Sequence, residues 1–217
     1  QLSAERIKRR FGRKIEDEED RKVFDQCTDT IVRQVGDIGR MVDEFSSFAR
    51  MPKPSKTRGD LRTILSDAIF LLEMGRTDVT FMRDFGDEPL TGLFDDRMLG
   101  QAFGNLIKNA VEAIEAVPTN EFDGERKILV RAAHDETRDR YVIDFIDNGS
   151  GISTEAQDVI FEKFSRVSDQ KAGGAGLGLA ICRQIMARLG GEIGYLPAQG
   201  GAAFRVVLPA DIAMAAQ

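Results

Sequence analysis

The sequence contains no tryptophan, one histidine and two cysteines among its 217 residues. Zinc and most other transition-metal sites are built from clustered His and Cys ligands, so the composition argues against a site of that kind. The two cysteines, Cys27 and Cys182, show no metal-ligand spacing, and we interpret both as reduced core or interface thiols in a cytosolic protein. Apolar runs such as residues 68–72 are far shorter than the roughly 18 residues that a membrane span requires.

The charge balance shows no basic excess. Lys and Arg number 30 against 36 Asp and Glu, and the resulting net charge of −6 argues against a general nucleic-acid binder. The remaining composition, 42% apolar and 30% charged, is that of an ordinary globular protein with one or two domains.

The first fifty residues are patterned as two helices, over 1–11 and 19–49. In the longer helix apolar residues recur every seven positions, in the row Phe24, Ile31, Ile38 and Phe45, with parallel rows beside it. A stripe this wide is typical of a four-helix bundle, so we expect this hairpin to form a homodimer with a second copy. The first helix starts without a cap, and we expect it to be the truncated end of a longer helix.

Pro52 and Pro54 interrupt the pattern, because proline excludes a continuing helix. We predict a helical domain over 1–50, a linker over 51–58 and a second domain over 59–217, which gives the fold class α+β. The second domain alternates short strands with helices, one of which begins at the capping residue Asp60. Its predicted helices cover 60–74, 96–117 and 177–189, and its predicted strands cover 79–85, 90–94, 127–133, 140–146, 192–196 and 203–208.

Two asparagines, Asn105 and Asn109, lie four residues apart in the long helix and therefore on one face. Asparagine is a poor helix former and a poor core residue. Its amide oxygen suits Mg²⁺, which commonly binds between a protein group and substrate phosphates. The alternative is a pair of exposed polar residues without a function.

Asp147 stands at the end of a predicted strand and is followed by Gly149, Gly151 and Ile152. A carboxylate there can accept a hydrogen bond from an exocyclic amine such as that of adenine, and the glycines let the backbone approach a flat ligand. The alternative is a type I′ or type II turn, which is weakened because no matching second strand follows.

Two aromatic residues, Phe161 and Phe164, lie between the two glycine-rich motifs. They can anchor a lid over a ligand or pack as ordinary core residues, and the pattern leaves both interpretations open.

The last motif is a glycine-rich stretch, with Gly174, Gly176, Leu177 and Gly178, that opens a helix. Backbone N–H groups at a helix N-terminus favour an anion such as phosphate. The dinucleotide-binding pattern does not apply, because no strand directly precedes the glycines. A flexible linker is the alternative, and the strongly amphipathic helix that follows argues against it.

The order and spacing of the four motifs resemble the ATP-binding domain of bacterial sensor histidine kinases. Asn105–Asn109 is similar to the N box, Asp147–Gly151 to the G1 box, Phe161–Phe164 to the F box and Gly174–Leu179 to the G2 box. The resemblance implies the two-layer α/β sandwich shared by gyrase, heat-shock chaperone, histidine kinase and MutL ATPases.

The first fifty residues resemble the dimerisation and phosphotransfer hairpin of the same kinases. The stretches 3–12 and 42–52 resemble their nitrogen-regulation subfamily, the NtrY type. This resemblance implies ATP or ADP and Mg²⁺ as ligands and a response regulator of the NtrX type as partner. It also implies that the full-length protein is anchored in the inner membrane by upstream segments, while these residues are cytoplasmic and contact neither membrane nor nucleic acid.

By resemblance, Asn109 would hold Mg²⁺ on the ATP phosphates with Asn105 in support. Asp147 would accept a hydrogen bond from the adenine amino group, and Gly149 and Gly151 would let the base pack closely. The candidate set is Asn105, Lys108, Asn109, Asp147, Gly149, Gly151, Ile152, Phe161, Phe164, Arg166, Lys171, Gly174, Gly176, Leu177 and Gly178.

Residues 153–175 would form an ATP lid, in which Arg166 could meet the γ-phosphate. Many family members carry a basic residue where this chain has Glu112, so Lys108, Arg166 or Lys171 would supply that cation instead. The G2 box commonly contains a threonine where this chain has Ala175, which implies a modest loss of nucleotide affinity.

The residue type at position 105 distinguishes subclasses of the superfamily, because the ATPases among them generally carry a Glu there to activate water. Asparagine cannot act as a general base, so the resemblance favours phosphoryl transfer over hydrolysis. A superfamily ATPase and a non-catalytic module that docks a response regulator remain the alternatives.

The phosphoacceptor of the family is a His in a His-Glu-x-x-Asn-Pro motif, and residues 1–14 contain no such motif. His134, the only histidine, is interpreted as a solvent-facing residue at the end of a strand. We therefore expect this chain to bind ATP without phosphorylating itself.

Overall fold

A computed structural model of the chain describes residues 2–49, 53–119, 121–122, 124–162, 176–198 and 200–210. These residues belong to two compact units whose boundary lies near residue 51. We call residues 2–49 the helical unit and the described residues from 53 onward the α/β unit.

The helical unit consists of α1, Leu2–Phe11, a short 3₁₀ turn over 12–14, and α2, Glu18–Ala49. Asp17 begins α2, because its Oδ1 accepts hydrogen bonds from the backbone N–H groups of Glu19 and Asp20, both at 2.9 Å. Lys8 Nζ lies 2.6 Å from Asp29 Oδ1 and links the two helices. The predicted apolar stripe is exposed in the single chain at Ile31, Val35, Ile38 and Val42.

The α/β unit begins with a strand whose first two residues fall within the predicted linker over 51–58. Strand β1, Thr57–Asp60, pairs antiparallel with β3, Thr91–Phe94, in a separate two-stranded sheet. The predicted linker over 51–58 is therefore too long at its C-terminal end. Helix α3, Leu61–Glu73, follows at once, and Asp60 Oδ1 caps it by accepting a hydrogen bond from Arg62 N at 3.0 Å.

The main sheet is mixed and has the strand order β2-β4-β5-β7-β6. Its strands are β2, Thr80–Asp84, β4, Lys127–Asp135, β5, Arg140–Asp147, β6, Glu192–Leu196, and β7, Ala203–Pro209. Strand β2 runs parallel to β4, and the other pairs are antiparallel.

Helices cover one face of this sheet and form the second layer. They are α3, α4, Asp96–Glu115, and α6, Gly178–Leu189, while α5, Thr154–Gln157, is a single turn. Phe103 on α4 packs against Phe145 on β5, with ring centroids 5.5 Å apart. Asp95 caps α4 by accepting a hydrogen bond from Met98 N, and Gly190 ends α6 in the left-handed conformation. The α+β fold class, with a two-layer α/β domain, is confirmed.

Candidate nucleotide-binding site

The two asparagines of α4 lie against the first residue of α6. A Cβ placed on Gly178 would lie 3.7 Å from Asn109 Oδ1 and 4.0 Å from Asn105 Cγ. Asn105 Nδ2 is 3.5 Å from the Gly178 carbonyl oxygen, a long contact, and its carboxamide lies near enough to the Cys182 thiol, one turn further along α6, to lower the pKa of that thiol against the larger effect of burial. Both half-buried carboxamides therefore stand beside a helix N-terminus, the part of a helix that favours phosphate.

Lys108 is exposed, and its Nζ lies 3.7 Å from Glu112 Oε1 one helical turn away. Such an exposed pair contributes little, typically about 0.2–1 kcal/mol, so Lys108 can leave it at low cost. Among the described residues no hydrogen bond or ion pair joins Lys108 to Asn105, Asn109 or Asp147.

Asp147, the last residue of β5, is buried, with 5% of its surface exposed. Its Oδ1 accepts hydrogen bonds from Gly149 N at 2.9 Å and from Ala202 N at 3.2 Å. Burial raises the pKa of the Asp147 carboxyl, and the two N–H groups oppose this rise. Within the described parts of the chain Oδ2 accepts no hydrogen bond, so one oxygen of a fixed carboxylate is left for a ligand.

The glycines after Asp147 are required by close backbone packing. A Cβ on Gly149 would lie 2.5 Å from the Ala113 carbonyl carbon, and Ser150 N donates to the Ala113 oxygen at 3.0 Å. Gly151 has a φ of 71° and lies against the Gly201 carbonyl oxygen. The segment therefore crosses the end of α4 and leads to α5 rather than to a hairpin strand.

Sequence reasoning missed two residues that hold this segment. Asn148 Oδ1 accepts a hydrogen bond from Lys127 N, and its Nδ2 donates to the Glu125 carbonyl oxygen, both at 2.8 Å. Gly201 has a φ of 117°, and a Cβ there would overlap the Asp147 carbonyl oxygen. The only signal in the sequence is the Gly200-Gly201 pair directly before β7, which by itself is typical of a turn.

Phe161 packs edge-on against Phe204 of β7, with ring centroids 6.1 Å apart. Phe161 is half-buried, so this contact is compatible with packing and with the anchoring of a lid, and both interpretations stay open. The Ile152 side chain is half-buried, and the Ile152 carbonyl oxygen accepts a hydrogen bond from Gln157 Nε2 at 3.3 Å. Leu177 is buried directly before α6, and Gly176 has a φ of 67°.

Several candidates lie outside the described residues, namely Phe164, Arg166, Lys171 and Gly174, together with Ala175. Of the predicted lid, residues 153–162 are described and contain α5. The structure therefore brings Asn105, Asn109 and Gly178 together and fixes Asp147, Gly149 and Gly151 at the end of β5.

His134 lies within β4, which extends to Asp135 and not only to residue 133 as predicted. Its side chain is 27% exposed, its Nε2 is 3.3 Å from Asp139 Oδ1, and its ring lies 5.0 Å from that of Tyr141. His134 is therefore a partly covered strand residue, not the fully solvent-facing strand end that was expected.

The two cysteines differ. Cys182 is buried, its Sγ donates to the Ala102 carbonyl oxygen at 3.4 Å, and burial raises the pKa of its thiol to about 12. Cys27 is exposed, so it is not a core thiol in the single chain. In the described segments no group of three or more His, Cys, Asp or Glu is placed to hold a metal ion.

A groove of about 430 Å³ lies between α3 and the start of α4. Ile64 and Leu71 line it, with Asp67 and Asp96 at its edge, and none of the candidate residues takes part. Of the helices described, none combines the length and apolar character needed to cross a membrane.

A family profile described as histidine kinase-, DNA gyrase B- and HSP90-like ATPase matches residues 94–212, more than half of the chain. The chain belongs to this family. The match includes the asparagine, aspartate and glycine motifs described above.

The chain is also 46% identical, over 213 residues, to the nitrogen regulation protein NtrY of Azorhizobium caulinodans. The alignment covers 97% of this chain and 26% of that protein, so the chain spans about a quarter of its relative. Among solved structures, the mycobacterial sensor histidine kinase MprB matches with a TM-score of 0.61 at 25% identity, covering 70% of this chain and 97% of MprB. The histidine kinase ThkA, solved with its response regulator TrrA, shares the fold with a TM-score of 0.68 at 20% identity, covering 95% of this chain and 56% of ThkA.

Proposed function

We propose that this chain is the ATP-binding catalytic part of a two-component sensor histidine kinase of the NtrY type. It binds Mg-ATP and transfers the γ-phosphoryl group to a histidine, from which the group passes to an aspartate of a response regulator. Family membership and the likeness to NtrY support this proposal. The observation that carries it is Asp147, a buried carboxylate with one oxygen tied to two backbone N–H groups and the other left over.

Asp147 recognises the adenine base. Its Oδ2 accepts a hydrogen bond from the exocyclic amine of adenine, and Gly149 and Gly151 leave the backbone uncovered for a flat ring. Because Oδ1 cannot turn without losing both of its N–H partners, the carboxylate keeps one orientation before the nucleotide arrives. A site prepared in this way binds adenine with little loss of side-chain entropy.

The start of α6 receives the phosphates. The N–H groups of a helix's first turn have no carbonyl partner within the helix, and these groups and the helix dipole favour negative charge. Asn109, beside Gly178, is the residue that would hold Mg²⁺. Bound there, the cation would neutralise charge on the phosphate oxygens, which is the main requirement of phosphoryl transfer. Asn105 supports the arrangement through its contacts with Gly178 and Cys182, and Arg166, Lys171 or Lys108 supplies the further cation.

Asn105 also decides between transfer and hydrolysis. A carboxamide cannot take a proton from water at neutral pH, so the site lacks a general base at this position. A superfamily ATPase is therefore the weaker candidate, and ATP hydrolysis well above the background rate would revive it.

The acceptor histidine is not among the residues of this chain. Its only histidine, His134, lies in β4 of the α/β unit, beside Asp139 and Tyr141. We therefore propose that this chain does not phosphorylate itself and that its Mg-ATP site serves an acceptor supplied by a longer polypeptide. In the full-length protein upstream segments would provide the anchor in the inner membrane.

The helical unit is the proposed site of dimerisation and of response-regulator docking. The exposed row Ile31, Ile38 and Val42 gives it an apolar surface that a second copy would cover. A partner of the NtrX type is proposed by analogy with the nitrogen-regulation relative, and ThkA was solved with its response regulator. Replacing Ile31 and Ile38 by Glu should convert a dimer to a monomer in analytical ultracentrifugation.

Calorimetric titration with ADP and a non-hydrolysable ATP analogue, with and without Mg²⁺, tests the nucleotide site. We expect binding in the micromolar range, about −7 to −8 kcal/mol, that weakens when Mg²⁺ is removed. The Asn109→Ala variant should bind ADP with the same affinity in both conditions. Absence of binding to the wild type would contradict the proposal and favour a docking module without catalysis.

A further inference from the structure

We propose that Asn148, whose side chain bonds the backbone of Lys127 and Glu125, is a positioning residue that sets the preference of this site for adenine. The proposal rests on the assignment of Asp147 as the adenine acceptor. It assigns a role to the residue between Asp147 and Gly149, which is not among the candidate site residues.

The chain leaves the main sheet directly after Asp147. Strands β4 and β5 are paired up to Ile128 and Asp147, and the residues after β5 turn away to cross the end of α4. The Asn148 backbone N–H still donates to the Lys127 carbonyl oxygen, at a long 3.4 Å, but among the described residues no backbone group pairs with Lys127 N or Glu125 O at this point. The Asn148 carboxamide bonds both groups at 2.8 Å and so replaces the missing strand.

The direction of the Asp147 side chain depends on how its backbone is held. On the side of β7, Asp147 N donates to Ala202 O at 3.0 Å, and Ala202 N donates to Asp147 Oδ1 at 3.2 Å. On the β4 side the two Asn148 carboxamide bonds reinforce the long backbone bond from Asn148 N to Lys127 O, so the backbone of Asp147 is tied on both sides. Without the carboxamide bonds only that 3.4 Å bond holds the chain to β4 beyond the paired strands, so the backbone gains freedom to rotate there and Oδ2 loses its fixed direction.

Loss of the Asn148 bonds should affect recognition of the base and not that of the rest of the nucleotide. A misdirected acceptor weakens recognition of the exocyclic amine but leaves the contacts with sugar and phosphates in place. Inosine diphosphate carries a carbonyl in place of that amine, with an N1–H beside it, so it presents no exocyclic donor to Asp147 Oδ2. Loss of the Asn148 attachment should therefore lower the affinity for ADP and leave the affinity for inosine diphosphate almost unchanged.

The test is the ratio of the two dissociation constants, measured by calorimetry on the full 217-residue chain. The wild type should bind ADP at least about tenfold more tightly than inosine diphosphate, and Asn148→Ala should reduce this ratio about fivefold or more. Asn148→Asp keeps the acceptor for Lys127 N but puts a charged acceptor in place of the donor to Glu125 O, so it should also reduce the ratio and keeps the test available if the alanine variant does not fold. Ser150→Ala is the matched control, because Ser150 is exposed and its bond to Ala113 uses the backbone.

An unchanged ratio in the folded Asn148 variants would overturn the inference, as would an equal loss of affinity for both nucleotides, which indicates only a general structural role. A wild type that binds both nucleotides equally would overturn it as well, because Asp147 would then not read the amine. A wild type that binds neither nucleotide contradicts the proposed function itself, and that result is distinct from the other three.

Discussion

The two ends of the candidate site are built in different ways. At the adenine end, Asp147 is buried and bonded to backbone groups on both sides, and Gly149 and Gly201 pack against neighbouring backbone with no room for a side chain. At the phosphate end, Asn105 and Asn109 are half-buried and contact α6 chiefly through side-chain atoms, with one long contact of 3.5 Å.

The proposed adenine end is therefore held by the fold itself, whereas the proposed phosphate end consists of half-buried side chains. Buried backbone groups without partners cost free energy, so a change that breaks the backbone packing at the adenine end disturbs both folding and binding. A change in a half-buried carboxamide has little to disturb except the ligand. The predictions below test this contrast, beginning with the largest expected effect.

The largest effect is expected for Gly201→Ala. The new methyl group would overlap the Asp147 carbonyl oxygen at a φ of 117°, so the variant should lose about 3 kcal/mol of unfolding free energy or more. Urea denaturation measures the loss. Gly194→Ala in the neighbouring β6 has no atom within 4 Å of the added group and should change stability by no more than about 0.5 kcal/mol. Equal stability of the two variants would contradict the close approach of Gly201 to the Asp147 carbonyl oxygen.

A smaller effect, confined to binding, is expected for Asp147→Asn. The asparagine Oδ1 can keep the N–H bonds from Gly149 and Ala202, while an NH₂ group replaces Oδ2 and faces the adenine amine as a second donor. ADP affinity should fall about 10- to 100-fold, which corresponds to about 1.4–2.8 kcal/mol, with little change in melting temperature.

Asp144→Asn provides the control for this variant. Asp144 lies on the same strand and pairs with Arg205, so its loss should lower stability and leave ADP affinity unchanged. If Asp147→Asn keeps its ADP affinity, the assigned role of Asp147 is wrong.

The smallest effect is a pH dependence of ADP binding. Burial raises the pKa of the Asp147 carboxyl above its ordinary value, so protonation begins at a higher pH than for an exposed aspartate. The protonated group is a poorer acceptor, so ADP affinity should fall by a few-fold as the pH is lowered through this raised pKa. The sign for folding is opposite, because an acid with a raised pKa in the folded state stabilises the fold as the pH falls towards its unfolded value.

Calorimetry from neutral to mildly acidic pH, on wild type and Asp147→Asn in parallel, isolates this dependence. The titration of the ADP phosphates is common to both proteins and cancels in their difference. Identical pH profiles would contradict the assignment to Asp147.

Elements with strong local signals could be predicted from the sequence. Asp60 as a cap and the helices α3, α4 and α6 follow from residues within one or two turns of each other. The same holds for Asp147 with its glycines, because strand end and motif are adjacent in the chain.

What could not be predicted depends on residues distant in sequence. Strand β1 is four polar or small residues long, and it forms because β3 pairs with it some thirty residues later. The need for Gly201 arises only from its contact with Asp147, and the role of Asn148 only from its bonds to β4. Cys27 lies in an apolar-periodic helix yet is exposed, because α1 covers only part of the wide stripe of α2.

A crystal structure of this chain with ADP and Mg²⁺ would test the proposed nucleotide site most directly. We expect the adenine amine at hydrogen-bond distance, about 2.9 Å, from Asp147 Oδ2, and the diphosphate at the start of α6 beside Asn109. A base bound away from Asp147, or phosphates distant from Gly178, would contradict the proposed site.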